Sequence, residues 1–477
     1  MIKFGTDGWR AVIADSFTFE NVKIVTQAIA DYLNNKTAGL PTACLAGRQG
    51  QAGGKKVIVG YDSRFLSFQF AQTAALVLAA NKIRVVLSNK YIPTPIVSFF
   101  ALYGKYDLGI MITASHNPSQ FNGLKIKTPQ GGAADKSLTD KIETLLYKSK
   151  PKYIDIESAK REKLLEVGDL TQKYIKFLRN FVNLKKISKL KLKILVDTMY
   201  GVGDKFVEKI LEKSKIKIDY LHNEFNPSFG GINPEPVEDN LGELIARVKK
   251  EKYDLGVALD GDADRIAVVD KFGNFINAQV LLPLLAVHVV KNRMVKAGIG
   301  KTVVGSNLID EVAYSLGVAC YETPVGFKYI SSLFKDGLIC IGGEEAGGIG
   351  FKDYIPERDA TAAFLFLLEM LAWENKSFSA LLADFYKKYG KWYYSRASVP
   401  SGRVKKSINN LKLPSSLRGK KVERVNTLDG IKLITRESWL MFRKSGTEPI
   451  VRVYAESKTK NEANQLVALG KKMIYGL

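Results

Sequence analysis

The chain has few cysteines and no long apolar segment. Only three cysteines occur in 477 residues, Cys44, Cys320 and Cys340, and they are odd in number and widely spaced. This pattern excludes a disulfide framework and a zinc site, and it favours a reducing compartment. No apolar run approaches the roughly 18 residues that a transmembrane helix needs. The first residues, Met-Ile-Lys-Phe-Gly-Thr-Asp, contain no apolar signal-peptide core. We therefore expect a cytoplasmic protein with no membrane partner.

Acidic residues are outnumbered by basic ones, 48 against 71, which gives a net charge of +23. Such an excess raises nucleic acid as a partner. The lysines are spread along the chain, however, and the densest run, residues 179–193, alternates with apolar residues as an exposed helix or strand face does. No zinc-finger, RNP-type or basic-zipper pattern occurs. We expect no nucleic-acid partner, because a diffuse positive field also attracts small anions.

A chain of 477 residues is too long for one hydrophobic core. Alternating apolar strand and helix patterns predict α/β domains with mostly parallel sheets. We place the domains at 1–155, 156–277, 278–388 and 389–477, the last being a smaller α+β unit. A Gly- and Ala-rich insertion at about 37–55 interrupts the first domain, either as a mobile insertion or as a functional flap.

A predicted buried strand at 108–113 ends at a loop that carries a serine and a histidine. The strand is short and apolar, and Pro118 ends regular structure. Ser115 and His116 therefore lie at the carboxyl end of a strand, where open α/β sheets bind ligands, and Lys125 follows closely. Such a serine can be a nucleophile or a phosphoryl carrier, but it can equally cap a turn. The residues alone leave these two interpretations even.

A second predicted apolar strand leads into three aspartates at alternate positions, Asp260, Asp262 and Asp264, followed by Arg265. Three carboxylates in a tight loop offer the hard oxygen ligands that Mg²⁺ prefers. An EF-hand begins with the same spacing, but its sixth and twelfth positions should be Gly and Glu, and here they are Arg265 and Lys271. The apolar strands on both sides disfavour a solvated acidic turn. The sequence therefore predicts a Mg²⁺ site.

Two loops of the third predicted domain are candidates for ligand binding. The segment Thr323-Pro-Val-Gly326-Phe-Lys328 enters a predicted helix, where backbone N–H groups and a lysine can bind an anion. It follows a strand predicted at 302–305. The second loop, GGEEAGG at 342–348, places two adjacent acids in an otherwise apolar stretch, which a plain glycine-rich turn would not need.

The C-terminal domain centres on a basic loop that contains Arg443, Ser445, Gly446, Thr447 and Arg452. Arginine has a planar guanidinium that can bind a phosphate through two hydrogen bonds. Two arginines, two hydroxyls and a glycine-opened backbone therefore predict a phosphate cradle.

Four of these segments resemble, in the same order, motifs of the α-D-phosphohexomutases, the phosphoglucomutase/phosphomannomutase family. They are ITASHNP followed by NGLKIK, then DGDADR, GGEEAGG and RxSGTEPxxR. The resemblance covers nearly the whole chain. It implies three similar mixed α/β domains and a smaller C-terminal α+β domain around a central cleft. It also implies an enzyme that interconverts hexose 1-phosphate and hexose 6-phosphate, with glucose and/or mannose as the sugar.

The resemblance implies a role for each motif. Ser115 carries a phosphoryl group, and one of its oxygens completes the Mg²⁺ shell formed by Asp260, Asp262 and Asp264. Lys125 is the general acid/base, a role that a lysine can fill near neutral pH if burial and neighbouring cations depress its pKa.

His116 assists in this chemistry, and so does Arg10 from the N-terminal loop. A hexose 1,6-bisphosphate is the intermediate and the activator. The residues implied in substrate binding are Arg265, Thr323, Gly326, Lys328, Glu344, Ala346, Arg443, Ser445, Gly446, Thr447 and Arg452. The histidines His222 and His288 lie outside every motif and are expected to be structural.

Ala346 departs from the family pattern, which has a serine in this loop that binds a sugar hydroxyl. Such a contact is worth about 0.5–1.5 kcal/mol, so its loss should loosen sugar selectivity more than it affects the chemistry. Phosphoglucosamine mutase therefore stays an alternative, as does a non-catalytic phosphosugar-binding protein. The partner is a small phosphosugar in either case, and the chain is expected to be a monomer or a homodimer.

Overall fold

The structure is a computed structural model that describes residues 2–5, 7–34, 54–203, 205–404, 408, 411–445 and 450–475. Almost all of the predicted insertion at 37–55 lies outside the described residues, as do Gly446 and Thr447. The chain divides into two compact units, one formed by Met1–Phe275 with Asp353–Glu369 and the other by Ile276–Lys352 with Met370–Leu477. None of the helices in the described part of the chain has the length and apolar character that crossing a membrane requires.

The first unit begins with a six-stranded sheet. Its elements are β1 (Trp9–Val12), α1 (Phe19–Asn34), β2 (Lys56–Tyr61), α2 (Ser67–Ala80), β3 (Arg84–Ser88), α3 (Thr94–Tyr103), β4 (Leu108–Ile112), β5 (Phe121–Lys127), α4 (Lys136–Leu145), α5 (Ile156–Arg161) and β6 (Leu165–Gly168). The strand order is β1-β5-β4-β2-β3-β6. Strands β4, β2, β3 and β6 are parallel, whereas β5 is antiparallel to β1 and β4. Every residue of β4 is buried, as expected for a parallel strand covered on both faces.

The second sheet of this unit repeats the mixed pattern. The next elements are α6 (Thr171–Phe181), α7 (Leu184–Ile187), β7 (Lys193–Asp197), α8 (Phe206–Ile210), β8 (Lys217–Leu221), α9 (Gly242–Lys250), β9 (Leu255–Leu259), β10 (Ile266–Asp270) and β11 (Phe275–Ile276). The strand order is β11-β10-β9-β7-β8, with β7, β8 and β9 parallel and β10 antiparallel to β9.

The second unit contains a third mixed sheet. Its elements are α10 (Ala278–Val287), β12 (Gly298–Thr302), α11 (Asn307–Leu316), β13 (Cys320–Thr323), α12 (Phe327–Lys335), β14 (Ile339–Gly343) and β15 (Ile349–Phe351). Helix α13 (Ala360–Glu374) begins in the segment Asp353–Glu369 of the first unit and ends in the second, where α14 (Phe378–Tyr389) follows. The order is β13-β12-β14-β15, with β15 antiparallel. The strand predicted at 302–305 is wrong. The strand ends at Thr302, because the N–H of Gly305 turns back to the Thr302 carbonyl at 2.7 Å.

The C-terminal part of the second unit is an antiparallel sheet with a terminal helix. Its elements are β16 (Tyr393–Pro400), β17 (Ser416–Leu417), β18 (Lys420–Lys421), β19 (Arg424–Asn426), β20 (Ile431–Ile434), β21 (Ser438–Lys444), β22 (Ile450–Ser457) and α15 (Lys460–Tyr475). The sheet order is β16-β22-β21-β20-β19. Apolar residues of α15, such as Leu466 and Ile474, join Leu440 and Val453 of the sheet in one core.

The three mixed sheets share one construction that positions the candidate loops. In each, a buried strand at the end of the parallel set is followed in sequence by an antiparallel partner: β4 by β5, β9 by β10 and β14 by β15. The connecting segments contain Ser115, the three aspartates and Glu344, respectively. Because both ends of each loop are fixed by the same ladder of hydrogen bonds, each loop is held at the carboxyl edge of its sheet.

Candidate active site

Ser115 lies in the turn that leaves β4, and its side chain is fully buried. Its backbone φ is 54°, in the left-handed region that a serine adopts only at a cost. The N–H of Ser115 donates to Thr113 Oγ1 at 2.8 Å, which supports this turn. The Ser115 hydroxyl donates to Asp260 Oδ2 at 3.1 Å. The residue predicted to carry a phosphoryl group therefore contacts the predicted metal loop directly.

The three aspartates form one buried cluster. Asp260, Asp262 and Asp264 are each 0% exposed, and one oxygen from each lies within 4.8 Å of the others. The loop folds around Asp260, whose Oδ1 accepts the N–H groups of Asp264 at 2.8 Å and Arg265 at 2.9 Å. The hydroxyl of Thr94 donates to Asp262 Oδ2 at 2.5 Å. These bonds fix the direction in which each carboxylate points.

The donor set of this cluster fits a hard divalent cation such as Mg²⁺. The Oδ1 atoms of Asp262 and Asp264 are buried and accept no hydrogen bond from a described residue. Burial raises the pKa of Asp260 well above its usual value, and the charges of Asp264 and Asp262 raise it further. Carboxylate oxygens with free lone pairs, crowded at one point, are what Mg²⁺ accepts as ligands.

Lys125 on β5 reaches the same cluster. Its ammonium lies 2.8 Å from Asp262, 3.3 Å from Asp264 and 3.0 Å from Asp7. Burial lowers the pKa of Lys125, but the three carboxylates outweigh burial and raise the pKa above its usual value. A depressed pKa, the condition under which Lys125 could act as a base near neutral pH, is therefore not found in this arrangement. The neighbouring cation Arg358 is a smaller influence than any of the three acids.

The other two residues predicted to assist Ser115 lie in its loop or against it. The pKa of His116 is well below its usual value, first because of burial and then because of Arg265 and Arg10. The Nδ1 atom of His116 is buried and bonds to no described residue. The Arg10 guanidinium donates to Asn117 Oδ1 at 2.6 Å, so it touches the loop one residue after His116. The lowered pKa favours the neutral form of His116.

Two cations beside the aspartates complete the first unit's site. Arg265, predicted to bind substrate, has its Nε 3.9 Å from Asp260 and 3.7 Å from Asp264. Arg358, which sequence reasoning missed, donates to both Asp7 and Asp264 at 2.9 Å. It lies in the segment 353–369 that folds back into the first unit, and nothing local in its sequence indicates this position.

Arg64 is a second residue that sequence reasoning missed. It follows β2, which lies beside β4 in the sheet, and its guanidinium donates to the backbone of the Ser115 loop. The sequence signal that could have indicated Arg64 is the string GYDSR, which places an aspartate and an arginine at the carboxyl end of a predicted strand.

The second unit contains the remaining predicted substrate residues that the structure describes. Arg443 and Arg452 are directly paired across β21 and β22. The Arg443 Nε donates to Asp429 Oδ2 at 2.8 Å, and the same oxygen accepts the N–H of Val325 at 2.9 Å. Asp429, which the sequence did not single out, therefore joins the basic strand to the loop that precedes α12. Ser445 directly follows β21.

The two loops of the third sheet are placed as follows. Thr323 ends β13, Gly326 precedes α12 with a φ of 129°, and Lys328 lies in the first turn of that helix. The N–H of Glu344 donates to the Gly348 carbonyl at 2.9 Å, which closes the turn that contains Ala346. The side chain at position 346 is a methyl group, which cannot form a hydrogen bond.

Comparisons with known proteins match the chain from end to end. Family models described as phosphoglucomutase/phosphomannomutase alpha/beta/alpha domains I, II and III match residues 1–152, 172–273 and 277–389, and the C-terminal domain model matches 397–469. A phosphoglucomutase/phosphomannomutase of Thermococcus kodakarensis is 30% identical, over 99% of this chain and 98% of the relative.

Two further proteins are similar over the same length. A phosphoglucosamine/phosphogalactosamine mutase of Sulfurisphaera tokodaii is 31% identical, with 99% of each chain covered. A crystal structure from Thermus thermophilus, described provisionally as a phosphomannomutase, has a TM-score of 0.85 and 31% identity, with 99% of each chain covered. The predicted four-domain α/β fold class is confirmed. This chain belongs to the phosphoglucomutase/phosphomannomutase family of mutase enzymes.

Proposed function

We propose that this phosphohexomutase interconverts hexose 1-phosphate and hexose 6-phosphate, with glucose and/or mannose as the sugar, through a phosphorylated Ser115 and a hexose 1,6-bisphosphate. The observation that carries the proposal is the contact of 3.1 Å between the buried Ser115 hydroxyl and Asp260 in the aspartate cluster. A turn-capping role for Ser115 would not account for the three buried carboxylates beside it.

The proposed transfer moves one phosphoryl group without net hydrolysis. A hydroxyl oxygen of the bound sugar phosphate attacks the phosphorus on Ser115. The new phosphorus–oxygen bond forms to the sugar while the bond to Ser115 Oγ breaks. The proton of the sugar hydroxyl passes to a base, and Ser115 Oγ receives a proton when it leaves. The bisphosphate then returns its other phosphoryl group to Ser115 by the reverse of these steps.

The protonation states favour a division of labour between two side chains. The carboxylates that raise the pKa of Lys125 keep it protonated, so Lys125 is the proposed donor to the leaving Ser115 oxygen. His116 follows Ser115 directly, and its buried Nδ1 bonds to no described residue, so His116 is the proposed acceptor of the sugar proton. The family resemblance implies Lys125 as the acid/base with His116 and Arg10 assisting, and this assignment gives one of the two proton transfers to His116.

Asp260, Asp262, Asp264 and the oxygen of Ser115 would hold Mg²⁺. When bound, the ion would neutralise charge that spreads over the phosphoryl oxygens during transfer. Arg265 and Arg358 supply further positive charge at the edge of the cluster.

Substrate recognition is proposed for the second unit. Arg443 and Arg452, with Ser445, Gly446 and Thr447, would hold the phosphate that is not being transferred. Thr323, Gly326, Lys328 and Glu344 would contact the sugar, and Ala346 would leave one hydroxyl without a partner. The proposed domains that carry these roles are residues 1–155, 156–277, 278–388 and 389–477.

The test is a coupled mutase assay with the 1-phosphates of glucose, mannose and glucosamine. The chain should convert glucose or mannose 1-phosphate, and Ser115→Ala should abolish the conversion. Ser98→Ala is the matched control, because Ser98 is equally buried and its hydroxyl has no partner among the described residues. The proposal fails if Ser115→Ala retains activity.

A phosphoglucosamine mutase is the second candidate, and one observation favours it. The relative from Sulfurisphaera tokodaii, named for aminosugar phosphates, is 31% identical to this chain. Conversion of glucosamine 1-phosphate with a higher kcat/KM than the glucose and mannose substrates would establish this alternative.

A further inference from the structure

One buried arginine, Arg64, binds four backbone carbonyls of the Ser115 loop. Its Nη1 donates to the carbonyls of Pro118 and Phe121, both at 2.9 Å. Its Nη2 donates to the carbonyls of Ser115 at 2.5 Å and Asn117 at 2.6 Å. Its side chain is 0% exposed. The four terminal N–H groups of one guanidinium are thus used on one loop.

Only arginine can make this set of bonds. A guanidinium has five N–H donors in a fixed plane, whereas a lysine ammonium has three donors around one atom. A buried carbonyl without a donor costs free energy, so a smaller side chain would leave carbonyls of this loop unpaired. Since Ser115 has a φ of 54°, its conformation is one that persists only when the surroundings hold it.

The guanidinium is itself held in place from two sides. Asp62 Oδ2 lies 3.3 Å from Arg64 Nε. Asp62 Oδ1 accepts the N–H of Arg64 at 3.0 Å and the hydroxyl of Ser67 at 2.7 Å. The ring of Phe229 covers the guanidinium, 4.8 Å from its central carbon. Arg64 is therefore a fixed attachment point and not a mobile surface side chain.

The position of the Ser115 carbonyl connects this clamp to the aspartates. On one side the carbonyl accepts from Arg64. On the other it lies against Gly261, where a Cβ atom would be only 2.7 Å from the carbonyl oxygen. We propose that Arg64 is a positioning residue for phosphoryl transfer: its four carbonyl bonds hold the Ser115 loop so that the serine oxygen faces Asp260. This inference rests on the proposed role of Ser115.

The first test uses steady-state kinetics of Arg64→Lys. Because Arg64 contacts the loop and has no side-chain surface for the sugar phosphate, kcat should fall by about 10²-fold while KM changes by less than about 3-fold. Ser63→Ala is the matched control. Ser63 neighbours Arg64 and is equally buried, but its hydroxyl bonds to the Tyr200 carbonyl and not to the loop. The control should retain the wild-type kcat.

The second test measures the loop directly by hydrogen exchange of the peptide at 113–123. Exchange should be faster in Arg64→Lys than in the wild type or in Ser63→Ala. A third variant, Arg64→Ala, should regain kcat when millimolar guanidinium is added, which a general loss of folding would not allow.

The proposal is overturned if Arg64→Lys keeps the wild-type kcat, or if its loop exchanges hydrogen at the wild-type rate. The exchange arm also separates this inference from the proposed function. If wild-type Ser115 accepts no phosphoryl group, the proposed function fails. Even in that case, faster loop exchange in Arg64→Lys would show that Arg64 holds the loop. Unchanged loop exchange would in addition rule out the positioning role of Arg64.

Discussion

Two lysines on β5 are buried against carboxylates that come from distant parts of the chain. Lys125 and Lys127 are two residues apart, so their side chains leave the same face of the strand. Lys127 Nζ lies 2.6 Å from Glu357 Oε2, and the two side chains are 0% and 1% exposed. The other Glu357 oxygen accepts the N–H of Arg358 at 3.0 Å. Longer contacts join Lys127 to Asp7 at 3.8 Å and Glu357 to Arg358 at 3.6 Å, but both side chains of the short pair are too buried to reach water if one of them is removed.

The informative perturbation is Lys127→Met, which removes the ammonium and leaves the Glu357 carboxylate buried. Breaking such a pair from one side costs about 3–5 kcal/mol, whereas replacing both partners by uncharged groups is often nearly neutral. We therefore expect the double variant Lys127→Met/Glu357→Gln to recover most of the loss. Lys136→Met is the matched control, because Lys136 is 77% exposed in its pair with Asp140 and should contribute little.

The assay is native-state hydrogen exchange of the peptide that covers Phe121–Lys127. A local measurement is needed because a chain of two compact units does not unfold in one two-state step. Since about 1.4 kcal/mol is a tenfold change, a cost of about 3–5 kcal/mol should make exchange in Lys127→Met about 10²- to 4 × 10³-fold faster than in the wild type. An increase of less than about tenfold, or a double variant as unstable as Lys127→Met, would refute the reasoning.

Three further predictions concern the site and its surroundings. Mg²⁺ should raise the melting temperature of the wild type, and Asp262→Asn should remove most of that rise; equal rises would contradict the metal assignment. Gly261→Ala should lower kcat, because its Cβ would lie 2.7 Å from the Ser115 carbonyl oxygen; Gly242→Ala, with open space at its Cβ, is the control. The hydrogen bond to Asp197 raises the pKa of His222 above 6.5, so the stability it adds is full below pH 6.5 and is lost as pH rises through the raised pKa. The melting temperature of the wild type should thus exceed that of His222→Gln most at low pH, and a difference independent of pH would contradict this.

The strands that carry the functional loops could be predicted from the sequence. Residues 108–113 and 255–259 are continuous apolar runs, and the structure has strands Leu108–Ile112 and Leu255–Leu259 at these places. The motif residues directly follow each strand, so each set lies at the carboxyl edge of its own sheet. The two strands belong to different sheets, and apolar patterning alone therefore does not show that the two loops meet. Continuous burial and loop position were therefore readable without coordinates.

The electrostatic surroundings of the site could not be predicted in the same way. Lys125 has acids from positions 7, 262 and 264 around it, and these raise its pKa where the sequence suggested neighbouring cations. Arg358 and Glu357 reach the site through long-range packing that leaves no local pattern. Arg64 binds backbone carbonyls, whose positions depend on how the Ser115 loop folds. In each case the sequence did not show which distant residue or backbone group the side chain contacts.

The family resemblance implied mixed sheets, but apolar patterning alone did not place the antiparallel return after each site strand. The sequence reads as parallel α/β units, but β5, β10 and β15 each pair antiparallel with the strand just before the loop. Local patterning identifies a strand more readily than its direction, because a buried strand has the same apolar run in either orientation.

Intact-mass measurement shows whether Ser115 carries the transferred phosphoryl group. The wild type, Ser115→Ala and Ser98→Ala would each be incubated with glucose 1,6-bisphosphate and Mg²⁺, and then weighed and mapped by peptide. From this role of Ser115 we expect one added phosphoryl group on Ser115 in the wild type and in Ser98→Ala, and none in Ser115→Ala. An unmodified wild-type chain that nevertheless converts the sugar phosphate, or a phosphoryl group on Ser115→Ala, would contradict it.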